Sequence, residues 1–328
     1  MDRLVIWLFL LVALFTGYWF TVAQVAQNGV QQALDQARSD GWQVETADMG
    51  VSGFPGTFSL QVVDPVLVAP NGAWTWRGSD IEISAASINP TRPTAVFPAA
   101  HTVQIGDQTL QIDVADMQAG AAASMNAALH FDDGFASLTD AAIVSDAGWQ
   151  AKISNIDALA ALVEDSKTVY DVDLTITDVA LPEDIIAQLV PAGALGPTVS
   201  RVAVDAALTF DRGLERVTQS GASLVVSRVD LADFNLVWAD IVINAEGALD
   251  INDQGVPEGQ VVLKSAQWEA LIELLGTTGA IDPQSLPTLT TMAGAMAGAD
   301  GALELPITFS DGVMSMGVFP LGPAPVLR

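Results

Sequence analysis

The chain contains no cysteine, which rules out disulfides, thiolate nucleophiles and Cys-ligated zinc or iron–sulfur centres. It leaves the compartment open, because a domain of this size can be stable without covalent staples. Histidine is nearly as scarce, with only His101 and His130 in 328 residues. Basic residues are few as well. Lys and Arg total 12 against 39 Asp and Glu, a formal charge of −27. Nucleic-acid affinity comes largely from basic side chains that neutralise phosphates, so no nucleic-acid partner is expected. The same deficit disfavours adsorption to an anionic lipid surface, and membrane contact has to come from apolar residues. A strongly acidic surface suits a salty medium, where screening relieves self-repulsion. Walker-type and Gly-rich dinucleotide loops are missing. The small-residue run from Ala119 to Ser124 reads as a loop or helix start. No Gly-x-Ser-x-Gly elbow marks a nucleophile.

What the sequence does have begins with a long apolar run from Leu4 to Ala23, preceded by Arg3. About 20 residues at roughly 1.5 Å each span the ~30 Å hydrocarbon layer. Trp7, Tyr18 and Trp19 fall near its ends, where aromatic rings favour the interface. The run predicts a membrane anchor over residues 1–23, with Leu4, Trp7, Leu11, Leu14 and Trp19 as its anchoring side chains. Arg3 and the terminal amine keep the short N-terminus inside, so the bulk lies across the membrane. A cleaved signal peptide is the rival reading. Its apolar core is usually shorter, and Thr21-Val22-Ala23 is a poor cleavage site. Val25, Val30, Ala33, Leu34 and Ala37 recur at helical spacing, predicting a helical stalk over 24–41 that ends at Gly41.

From Trp42 the period changes to two. Phe58–Val62, Ile81–Ile83, Leu110–Val114, Val172–Ile176, Val202–Ala206 and Ile241–Ile243 each alternate apolar with polar, as antiparallel strands with one buried face do. A turn phrase recurs at Phe131–Gly134, Phe210–Gly213 and Phe309–Gly312, with Leu249–Gly255 as a longer variant. These predict hairpin turns with glycine at positive φ. Trp76 before Ile81-Glu-Ile83 resembles Trp238 before Ile241-Val-Ile243, hinting at related halves over 42–165 and 166–328. Helices are predicted over Asn155–Glu164, Pro182–Val190, Ser265–Leu275 and Pro283–Ala297. The fold class expected is mainly β with a few short helices. One long curved antiparallel sheet, an open groove or half-barrel, fills residues 42–328 behind an N-terminal transmembrane helix.

Chemistry is harder to find. With 39 acids, carboxylates near either histidine carry no signal, and His130 reads as a strand residue before a turn. Asp250-x-Asn252-x-Gln254-Gly255 imitates the first half of a calcium loop, but its twelfth position is Val261 where a bidentate Glu is required. Turn chemistry explains it better. No cofactor or metal is expected. Phe54, Trp74, Trp76, Trp238 and Trp268 either pack in the core or line an apolar groove that a one-sided curved sheet leaves open.

Two stretches carry a family resemblance. Val51-Ser-Gly-Phe-Pro-Gly-Thr-Phe-Ser-Leu-Gln-Val62 resembles the Gly-Phe/Tyr-Pro-then-strand phrase of the bacterial domain-of-unknown-function family 2125. Gly301 to Val326 is similar to that family's closing segment, and Gly247 to Leu263 with the Trp268 helix fits the same pattern. Gly56 departs from the basic or aromatic residue usual after Gly-Phe-Pro. The chain also resembles, loosely, β-groove envelope proteins of the AsmA type. The resemblance implies an envelope protein anchored by one pass in the bacterial inner membrane, with its bulk in the periplasm, and it supplies no catalytic residues. The expected function is therefore non-enzymatic: binding or shielding lipid, acyl chains or an apolar partner in the curved sheet. The alternatives are a structural module that docks another envelope protein and, more remotely, an envelope hydrolase.

Overall fold

The computed structural model describes residues 14–327, except 22–23, 25–28, 32–33, 125–129, 190–194, 215–224, 278–285, 299–300 and 317–318. Each run of strand pairs with the runs next to it in sequence, which makes one antiparallel meander. The first five runs are each broken once: β1 (Gln43–Glu45) and β2 (Asp48–Ser52), β3 (Thr57–Val63) and β4 (Val66–Val68), β5 (Trp74–Gly78) and β6 (Asp80–Ala86), β7 (Asn89–Val96) and β8 (Ala100–Ile105), β9 (Gln108–Asp113) and β10 (Asp116–Ala123). Their halves pair in parallel tracks, β2–β3–β6–β7–β10 and β1–β4–β5–β8–β9, and both tracks meet β11 (Phe131–Ser145). The sheet then continues through β12 (Gln150–Leu162), β13 (Val169–Ala180), β14 (Thr198–Phe210), β15 (Val226–Trp238), β16 (Ile241–Ile251), β17 (Pro257–Ser265), β18 (Leu303–Ser310), β19 (Val313–Met316) and β20 (Phe319–Pro323). Among the described residues no pairing joins the first strands to the last, so the sheet is open.

The breaks line up into a crease that crosses the sheet. Asp64 (φ 47°) donates its N–H to the Ser79 carbonyl at 2.6 Å. Val114 N–H meets the Ala99 carbonyl at 2.8 Å, and Ala115 N–H meets Thr139 at 3.0 Å. The crease continues through Asp140 (φ 48°) and Asp178 (φ 51°), which drop out of the pairing while Thr139, Asn155 and Thr177 stay in register. Aspartate tolerates left-handed backbone because its carboxylate can bond locally. Three separate strands place it there.

Three short helices occupy the strand connections at one end: α1 (Glu183–Leu189), α2 (Trp268–Thr277) and α3 (Leu286–Met296). Tight turns occupy the other end, between β2 and β3, β6 and β7, β16 and β17, and β18 and β19. Residues 14–21 and 34–39 are helical ahead of the sheet. Among the described residues no helix is long and apolar enough to cross a membrane. Leu4, Trp7 and Leu11 of the expected anchor lie outside the described residues.

The six alternating stretches all fall on strands, and three of the four predicted helices form within a few residues of their expected bounds. The fourth does not. Asn155–Glu164 is mostly strand β12, bonded on both sides by β11 and β13. Its apolar residues fit two periods at once, and Ile156, Ala158, Ala160 and Leu162 follow the period of two. The turn phrase also divides. Asp311 (φ 52°) and Gly312 (φ 76°) form a two-residue hairpin between the paired Ser310 and Val313, as type I′ geometry requires. Gly255 (φ 80°) closes the longer variant. Gly134 instead sits inside β11 opposite Ala160. Gly213 lies past the end of β14, and the chain enters β15 only at Val226. At Gly134 an added Cβ would meet the Phe131 ring at 2.9 Å and the Gly120 carbonyl at 3.0 Å. Close packing requires glycine there, with no turn. The Trp76 and Trp238 phrases occupy different places, a bend within one strand run and a hairpin between two strands.

Candidate functional site: an apolar sheet face

Residues opposite one another in an antiparallel pair project to the same face, so the register shows what each face carries. One row runs Met117–Leu138–Ile156–Ile176–Val202–Leu236–Ile243 across β10 to β16. The neighbouring row on that face runs Val51–Leu60–Ile83–Ala95–Ala119–Ala136–Ala158–Leu174–Val204–Phe234–Ala245–Leu263–Leu305. Both rows are wholly apolar. The interleaved row on the reverse face reads Ser137–Asp157–Thr175–Ala203–Asn235–Asn244–Lys264–Glu304. Asp173, Asp205 and Asp233 stand directly opposite one another on that reverse face, all exposed. Like charges so placed repel, and the arrangement concentrates negative charge away from the apolar side.

Depth differs along the apolar face. Where helices lie on it, some side chains are fully buried. Trp268 of α2 packs with Ala293 of α3 and Leu303 of β18, and its Nε1–H donates to the Gly301 carbonyl at 3.2 Å. Ile241 and Leu195 are buried beneath Trp238, Leu271 and Leu274. Across β11 to β15, Leu138, Ile156, Ile176, Val202 and Leu236 are only half-buried, and no buried cluster forms over them among the described residues.

The five aromatics proposed for a groove do not converge. Trp268 is core, 8 % exposed. Trp238 closes the helix-covered end of the face, its Nε1–H donating to the Gly196 carbonyl at 2.8 Å. Trp74 packs edge-on against Trp42, ring centroids 5.5 Å apart. Trp76 donates its Nε1–H to His101 Nδ1 at 3.2 Å. Phe54 lies in the turn after β2, in contact with residues 15–20. Of the expected anchoring residues that are described, Leu14 is exposed, while Trp19 is 5 % exposed and stacks on Phe58 at 5.2 Å. Pattern reasoning on aromatics missed the aliphatic rows, which only the pairing register reveals.

His101 is buried on the apolar side, opposite Gly78 and Ile112. The Trp76 bond to Nδ1 fixes the proton on Nε2, which makes no well-formed hydrogen bond of its own. Burial holds its pKa below the ordinary 6.5, against weaker opposing effects of the Pro98 backbone and the Asp113 carboxylate. On the outer face, the hydrogen bonds that Arg228 donates to Asp230 and then to Asp250 raise its pKa. Asp250 is thus engaged with Arg228 at 2.8 Å. Asn252 Oδ1 accepts from the N–H groups of Gln254 (2.9 Å) and Val256 (3.1 Å). The calcium-loop imitation is a side-chain-closed turn. Among the described residues no three His, Asp or Glu side chains gather as metal ligands would.

Among curated proteins and among solved structures, nothing matches the chain. A family model does match residues 19–325, which include every strand of the sheet, the Val51–Val62 phrase and the closing segment as far as Pro325, and the chain therefore belongs to the family described as uncharacterized protein conserved in bacteria, DUF2125.

Proposed function

We propose that this is a non-enzymatic envelope protein, anchored in the inner membrane by its N-terminal segment, whose periplasmic sheet holds acyl chains against its apolar face. The observation that carries the proposal is the pair of apolar rows across β11 to β15, mostly half-buried and with no helix over them among the described residues. Five strands at roughly 4.8 Å spacing make the uncovered part of the longer-chain row about 19 Å wide. A contiguous apolar patch of that extent is unusual on a soluble surface and marks a binding surface. Each methylene withdrawn from water there contributes about 0.8 kcal/mol. The acidic reverse face repels anionic headgroups and favours one-sided occupancy. The anchor rests on the charge-free run from Leu4 to Ala23. Full-length protein purified from membranes should retain acyl lipid after exhaustive washing, as extraction and mass analysis would show. The double variant Ile156→Asp/Leu174→Asp should retain much less. Equal lipid in both, or none in the parent, would refute the proposal.

A second reading is favoured by the exposed Asp173–Asp205–Asp233 line, which suits a cationic envelope partner docking on the outer face. Crosslinking in membranes should then recover one partner at defined stoichiometry, lost on replacing all three with Asn.

A further inference from the structure

The turn end of the first strands carries an apolar tip that no part of the sheet uses. Trp19 lies on the apolar face at Phe58, and its Nε1–H donates to the Thr57 carbonyl at 3.0 Å. Tyr18 donates its hydroxyl to the Ser87 carbonyl at 3.0 Å, and Ser87 N–H donates to the Gly56 carbonyl at 3.0 Å. These bonds join helical residues 14–21, the β2–β3 turn and the β6–β7 turn into one body. Phe54 touches Phe15, Trp19 and Phe20, with centroids 5.5–6.4 Å away. What projects from this body is apolar: Ile88 is 85 % exposed, Leu14 70 %, Phe20 62 % and Phe54 49 %.

In a chain of charge −27, Met49 to Val63 and Ile83 to Thr91 contain no charged residue. Leu14 continues directly from the charge-free run that begins at Leu4. We infer that this tip is a second membrane contact: the β2–β3 and β6–β7 turns seat Phe54 and Ile88 in the lipid interface beside the anchor. The inference rests on the anchor reading above. A lipid bilayer is the occupant because the apolar run enters the tip itself, and the absent charge spares the turns the cost of desolvating an ion. Seating fixes the sheet with its turn end at the bilayer and α1 to α3 away from it.

The chain's lack of cysteine makes the test direct. Single variants Phe54→Cys, Ile88→Cys, Asp107→Cys and Asp146→Cys of the full chain are labelled with a small fluorophore and reconstituted into vesicles of zwitterionic phospholipid, with or without lipid carrying a quencher near the headgroup. Asp107 and Asp146 lie in exposed turns at the opposite end. Probes at 54 and 88 should lose most of their fluorescence to the quencher and shift to the blue, while those at 107 and 146 remain as in buffer. Ile88 is so exposed that its variant leaves folding untouched should Phe54→Cys disturb its turn. Membrane-bound protein with unquenched probes at 54 and 88, or equal quenching at all four sites, overturns the tip contact and leaves the anchor standing. Protein that stays in the supernatant overturns both. Lipid content of the groove is independent of either result.

Discussion

Leu303 and Ile176 lie on the same face of the same sheet, on strands that alternate equally well, yet their surroundings differ completely. Leu303 is 3 % exposed beneath α2 and α3. Ile176 is half-buried with aliphatic neighbours on either side and no helix above it among the described residues. Alternation tells which side of a strand avoids water. It does not tell what supplies the second layer. At the C-terminal strands the chain supplies it from its own connection between β17 and β18. Across β11 to β15 no described helix packs over the row through Ile176, and the apolar side is left available for something else.

Stability should therefore respond unequally to truncation in the two regions. Trp268→Ala at the covered end is expected to cost about 3–5 kcal/mol, read from denaturant unfolding, since it empties a packed site and orphans the Gly301 carbonyl. A cost under ~1 kcal/mol would mean that α2 does not form the second layer. Turn chemistry comes next. Gly312→Val should cost about 1–3 kcal/mol, because a β-branched residue resists the left-handed region. Gly312→Asn should cost clearly less. At Gly134, where the backbone is extended and space is the constraint, Asn should be no better than Val. A uniform Val-over-Asn ranking at both sites would erase the distinction drawn between them. Ile176→Ala in the uncovered centre should cost only about 1 kcal/mol of stability, with the greater loss in retained lipid. Thermal melts and lipid analysis on one preparation separate the two effects.

His101 offers a smaller, pH-dependent contrast between the enclosed first strands and the open centre. Its native pKa lies below the unfolded 6.5, so folding excludes a proton that the unfolded chain accepts. The contribution is complete above pH 6.5 and declines as pH falls from there toward the native value. Replacing His101 with Phe should flatten that part of the stability–pH profile. An unchanged slope would place the titration elsewhere.

Much of the sheet was legible in the sequence. Val172–Ile176 and Val202–Ala206 alternate without interruption, whereas Gly276, expected to end its helix, lies inside α2 (Trp268–Thr277). Residues 155–164 were not, because Ile156, Leu159 and Leu162 satisfy a helical spacing while long-range pairing with β11 and β13 decides the outcome. The crease was hidden too. Asp64, Asp140 and Asp178 look like the other acids in a chain that has 39 of them, and only their φ values mark them. The candidate site was legible as a principle, an apolar face on a one-sided sheet. Its residues were not, since register is set by pairing partners far away in sequence, and large aromatics drew attention that belonged to Ile176, Leu174 and Phe234.

The central claim is that lipid occupies one face of β11 to β15. It is tested most directly by photocrosslinking in intact membranes, with a benzophenone amino acid placed singly at Ile176, Leu236 and Asp173. Ile176 and Leu236 belong to one apolar row through Val202, while Asp173, three residues from Ile176 on β13, projects to the opposite, acidic face. Lipid adducts at 176 and 236, with none at 173, are the predicted result. Adducts absent at 176 and 236, or equal at all three, would contradict it.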